Sequence, residues 1–85
     1  MINKDMQCLK IDTKYFNAVI NGIKTFEFRY NDRNYCVGDI YYLCEYSNNQ
    51  FSGSAIKIQI TYILKNYIGL EKNYCIFSFK IMGRL

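Results

Sequence analysis

The stretch Ser54–Lys65 reads SAIKIQITYILK: Ile56, Ile58, Ile60, Tyr62 and Leu64 fall on one side, Lys57, Gln59, Thr61 and Lys65 mostly on the other. Successive side chains of a strand leave opposite faces, so this alternation predicts a long strand with one buried face. Downstream, beyond a loop around Asn66 to Asn73, Cys75, Phe77, Phe79 and Ile81 share a side of a strand over Tyr74–Ile81. Upstream, Ile40–Tyr46 reads as a strand entered through a tight bend at Gly38-Asp39 and left through a hairpin loop over Ser47–Gly53. From Lys24 the period is again two. Phe26, Phe28 and Tyr30 form a greasy face, while Thr25, Glu27 and Arg29 form one that carries chemistry. Asn31 to Asn34 favours a turn after it.

Nearer the start, Gln7–Ile11 predicts a short first strand. Asp12 or Thr13 can cap a helix running to about Asn21, with Tyr15, Phe16, Val19 and Ile20 lining one face and Asn21-Gly22 supplying a left-handed stop. About five strands and one short helix define an α+β, mainly β fold. Strands this short, each with one apolar face, are best accommodated if the sheet curls into a small closed or nearly closed barrel with the helix plugging one end. An open sheet packed on the helix is the alternative.

Eighty-five residues, 51% hydrophobic and 21% charged, give one globular domain over residues 1–85 with room for one core. No linker, repeat or low-complexity tract interrupts it. Apolar stretches are too short for a membrane span, and the basic start Met1 to Lys4 leads into no hydrophobic signal core, so a cytoplasmic protein is expected. The chain has no histidine, which removes the usual base near neutral pH, the Ser/His and Cys/His nucleophile pairs and the commonest metal ligand. Cys8, Cys36, Cys44 and Cys75 form no CxxC unit. They are expected as reduced core thiols, with no metal and no cofactor. Eleven Lys+Arg against seven Asp+Glu give +4, which suits an anionic partner. Abundant Ile, Asn, Lys, Tyr and Phe also fit an AT-rich codon bias, which accounts for part of that excess.

Directly after the helix comes Gly22-Ile23-Lys24-Thr25-Phe26-Glu27-Phe28-Arg29. It resembles the GxKxxExR signature of the ASCH domains, members of the PUA-like barrel superfamily. Further anchors follow in order: Leu9-Lys10-Ile11, Tyr15-Phe16, Ala18-Val19, Asn31-Asp32-Arg33, Val37-Gly38-Asp39, Glu45-Tyr46, Gly53 and Thr61-Tyr62-Ile63. These look like a small uncharacterised bacterial and phage subgroup, and the likeness spans about Cys8 to Ile81. The resemblance implies a PUA-like barrel with a cleft between helix and barrel that binds RNA or a modified nucleoside or nucleotide. It places Lys24, Glu27 and Arg29 on the cleft; by their own positions, Lys10 on the first strand and Arg33 in the turn are expected to extend a positive rim. Ser54 stands where the subgroup often carries a basic residue after the glycine, which thins the groove.

Side-chain chemistry agrees with that placement. Glu27 and Arg29, two apart on a strand, emerge on the same face. Arg29 can offer a planar fork to phosphate or a carbonyl edge, Glu27 can accept from an exocyclic amine, and tyrosines can stack on a base. Since Tyr41 and Tyr42 point to opposite faces, at most one of them joins a binding surface. Two other readings compete. One ASCH branch resembles an amidohydrolase that uses the signature lysine and a threonine three positions on; here that position is Glu27, so a hydrolase would have to use Lys24/Glu27 as an acid/base pair. A protein-interaction module in a phage or mobile-element setting would work instead through an exposed apolar patch.

Overall fold

The computed structural model describes residues 7–85, so the basic start at Met1–Lys4 lies outside the described residues. Along the chain run β1 (Cys8–Ile11), α1 (Thr13–Ile20), β2 (Phe26–Tyr30), β3 (Ile40–Ser47), β4 (Gln50–Lys65) and β5 (Tyr74–Arg84). The strands form one sheet in the order β1-β3-β4-β5-β2. β3, β4 and β5 make an antiparallel meander, β2 adds antiparallel to β5, and β1 adds parallel to β3. The sheet curls into a half-barrel. Its two edge strands, β1 and β2, approach each other across a seam spanned by arginine side chains.

The core fills the hollow of this curl. Leu9 and Ile11 of β1, Tyr41 and Leu43 of β3, Ile56, Ile58 and Ile60 of β4, and Cys75, Phe77 and Phe79 of β5 are buried together with Phe16 and Val19 of α1. Asp12 caps the helix, its carboxylate accepting from Lys14 N at 2.9 Å. The helix therefore plugs the hollow as expected, but along a narrower stripe. Phe16 and Val19 are buried and Ile20 packs against the core, whereas Tyr15 is exposed at the seam.

Two strand expectations are corrected. The β3–β4 connection is not a seven-residue loop. Asn48 and Asn49 adopt φ of 53° and 63°, so Ser47 and Gln50 pair directly across a two-residue turn. Asparagine tolerates this left-handed region far better than most residues. Beyond it, three residues of β4, Ser52 to Ser54, stand opposite Glu45 alone, a bulge in which Ser52 Oγ donates to Glu45 Oε1 at 2.7 Å. A second irregularity between Ile60 and Tyr62 shifts the phase of β4. Ile63 then packs on the core and Tyr62 is exposed, reversing the expectation for that end of the strand.

The cysteines also depart from expectation. None of the four forms a disulfide among the described residues, but only Cys75 is a core thiol; Cys8 and Cys44 are half-buried and Cys36 is exposed. Burial pushes the Cys75 thiol above its ordinary value. Among the described residues, no helix is long and apolar enough to cross a membrane.

Candidate functional site

The end of α1 fixes the first cation. Asn21-Gly22 closes the helix with Gly22 at φ 72°, Gly22 N donating to Val19 O and Ile23 N to Ala18 O, a pairing that needs a left-handed residue. Lys24 N also donates to Ala18 O at 3.1 Å, so Lys24 is tied to the helix end just before β2 begins.

β2 supplies the next two charges, and its faces are the reverse of the simple expectation. Glu27 lies opposite Phe77 and Arg29 opposite Cys75, so these charged residues look into the hollow. Glu27 is 5% exposed, whereas Phe28 is 54% exposed. The compensation is ionic. Lys24 Nζ donates to Glu27 Oε2 and, at 2.6 Å, to Phe26 O; Arg29 Nε donates to Glu27 Oε1 at 2.9 Å. A buried carboxylate is costly unless paired and hydrogen-bonded, and here each oxygen has its own cation. The greasy side of β2 is left facing outward, where Phe28 stacks on Tyr74 with ring centroids 5.3 Å apart and Tyr30 meets Tyr74 edge-on at 5.4 Å.

Two guanidinium groups then cross the seam. Arg29 Nη2 donates to Lys10 O at 2.6 Å, and Arg33 Nη2 to Cys8 O at 3.3 Å. Both acceptors are carbonyls of the edge strand β1, so arginine side chains stand where a closed barrel would have a backbone ladder. The ammonium of Lys10 lies 4.4 Å from the ring centroid of Tyr46 and 5.9 Å from that of Phe51. These two rings pack edge-to-face.

The seam opens into two adjoining lobes. The smaller, of about 630 Å³, is bordered by Asp12, Tyr15, Lys24, Glu27, Phe28 and Tyr74. The larger, of about 850 Å³, is bordered by Cys8, Asp32, Arg33, Tyr42, Cys44 and Phe51. Lys10, Arg29 and Tyr30 border both. Each volume lies in the range of small-molecule sites. Beside the larger lobe, burial pushes the Tyr35 phenol up to about 12, with Arg29 and Arg33 opposing that rise and Asp32 adding to it. Burial likewise raises Tyr41, which sits in the core, whereas Tyr42 borders the lobe.

All five residues singled out from sequence, Lys24, Glu27, Arg29, Lys10 and Arg33, border the seam. Of these, Glu27 is buried, and each of its oxygens accepts from a cation, Lys24 on one and Arg29 on the other. Sequence reasoning missed Tyr15, Asp32 and Tyr74 as cleft residues. Tyr74 had a signal in strand pairing, being the register partner of Tyr30. Tyr15 had none beyond its place at the edge of the helical stripe.

The chain belongs to the family of a domain of unknown function, DUF3850, whose sequence pattern matches residues 6–79. It is also similar to an uncharacterized 12.9 kDa protein in the GpA 3′ region of Escherichia phage P2, with 36% identity over 70 residues covering 75% of this chain. The chain spans 64% of the length of that relative.

Proposed function

We propose that this chain is an RNA- or nucleotide-binding module of ASCH type within the PUA-like barrels, with its ligand seated in the seam between β1 and β2. The observation that carries the reading is the cluster of exposed Phe28 and Tyr30 with half-buried Tyr74, beside Lys24, Arg29 and Lys10. Single-stranded nucleic acid is held by aromatic faces that take bases and cations that take phosphates, and both kinds of side chain border the smaller lobe. The balance along it is modest, four cations (Lys10, Lys24, Arg29 and Arg33) against Asp12, Glu27 and Asp32. Affinity is accordingly salt-sensitive and stacking carries much of it. A cytoplasmic setting belongs to the same proposal and is supported by the scattered cysteine spacing, which favours reduced thiols.

The test is fluorescence anisotropy of a labelled single-stranded oligoribonucleotide against the protein at low and moderate salt. Phe28→Ala and Tyr74→Ala are each expected to weaken binding about tenfold, the usual scale for one stacked base. Binding unchanged by both substitutions, or absent at low salt, refutes the reading. A nucleoside-directed hydrolase using Lys24/Glu27 is less well supported, because the Glu27 oxygens are occupied by the two cations.

A further inference from the structure

The larger lobe has no assigned occupant in the reading above. It is mostly walled by uncharged groups, including Tyr42, Phe51, Cys8, Cys44 and Ala55, and Asp32 and Arg33 border it as well. Unlike Glu27, Asp32 uses only its backbone locally, its N–H donating to Tyr30 O, and among the described residues its carboxylate accepts no hydrogen bond. The smaller lobe is bordered by Phe28 and Tyr74, whose rings stack on the outer face of β2 and β5. Between the two stand Lys10 and Arg29, which border both. Arg29 spends Nε on Glu27 and Nη2 on Lys10 O, while its Nη1 donates no hydrogen bond among the described residues. The Lys10 ammonium rests over aromatic rings and pairs with no carboxylate among them. Two concave sites, each large enough for a base and joined at a pair of cations with donors to spare, match two nucleosides linked through one phosphodiester.

We propose that the larger lobe is a second nucleobase subsite, so that the unit recognised is a single-stranded dinucleotide step. Its linking phosphate lies at Lys10 and Arg29, and Asp32 selects a base bearing an exocyclic amine in the larger lobe. This inference rests on the nucleotide-binding reading and deepens it. The phosphate takes an Arg29 N–H and the Lys10 ammonium without dismantling the ion pairs around Glu27. An ionised carboxylate only accepts, so Asp32 favours the amine of cytosine or adenine and disfavours the carbonyl that uracil presents at the same place.

Isothermal titration of the protein with cytidine 5′-monophosphate, the dinucleotide CpC and the dinucleotide UpU tests this. CpC is expected to bind at least tenfold tighter than the mononucleotide and about tenfold tighter than UpU. Asp32→Ala, at an exposed turn position, should abolish the preference for CpC over UpU. Using that ratio cancels the general gain an anionic ligand receives when a negative charge is removed. Phe51→Ala, at another exposed position, should lower the gain of CpC over the mononucleotide. Equal affinity for mononucleotide and dinucleotide, or a preference unchanged in Asp32→Ala, overturns the second subsite while leaving the aromatic shelf standing. Absence of binding by all three ligands and by longer RNA overturns the proposed function itself.

Discussion

Replacing Glu27 with alanine removes the one carboxylate that Lys24 and Arg29 share, and the cost follows from how much water each orphaned cation can regain. Removing one partner of a buried ion pair costs about 3–5 kcal/mol when the remaining charge stays dry. The Lys24 and Arg29 side chains keep 16% and 22% of their exposure, so both can swing outward and recover part of their hydration. The expected loss is therefore about 2–3 kcal/mol. In a domain of this size that lowers Tm by about 10–20 °C. Urea melts followed by circular dichroism measure it directly. The triple change Lys24→Met, Glu27→Leu, Arg29→Met is the informative companion, because replacing a whole charged group by apolar side chains leaves no orphan. It should regain most of the lost stability, short of the bond that Arg29 makes to Lys10 O. A Glu27→Ala protein within about 0.5 kcal/mol of the parent, the ordinary scatter of surface changes, would refute the account of a buried carboxylate held by two cations.

Three further outcomes are expected. Arg29→Met should cost about 1.5–3 kcal/mol through loss of its charged hydrogen bonds, and hydrogen exchange should show the β1 amides losing protection before those of β4. Phe77→Ala, at a side chain with no exposure at the centre of the core, should cost about 3–5 kcal/mol in the same melts. Stability should also fall at high pH. Tyr35 keeps its proton to about 12 when folded, so its contribution is complete below the unfolded value of 10.0 and is lost as pH rises through 12. The loss amounts to at most about 2–3 kcal/mol, and Tyr35→Phe should flatten that part of the profile.

The meander was legible because Ile56, Ile58, Ile60, Phe77 and Phe79 alternate cleanly and do bury on one face. Asp12, Asn21 and Gly22 likewise marked the helix ends by conformational preference. Where the reading failed, a nonlocal term outweighed a local one. The phase of β4 changes at Thr61 because β5 offers one residue fewer there, which no inspection of β4 alone reveals. On β2, hydropathy favours burying Phe28, yet Glu27 is buried because Lys24 arrives from the helix end and Arg29 from the same strand. Lys24, Glu27 and Arg29 were found from the signature stretch, and Lys10 and Arg33 from their positions on the first strand and in the turn; the division of the seam into two lobes depends on a side chain of β2 reaching a carbonyl of β1, a tertiary fact absent from any spacing in the sequence.

The strand order has a kinetic consequence. Cys8 pairs with Tyr42 and Tyr30 with Tyr74, so both borders of the cavity are joined to the sheet by contacts distant along the chain, while β3, β4 and β5 zip through neighbouring turns. Loop closure opposes the distant pairings most, and β1 offers only four residues in return. The hairpins are thus expected to assemble early and the flanking strands to dock afterwards, making the seam between β1 and β2 the last part of the molecule to mature and the first to loosen.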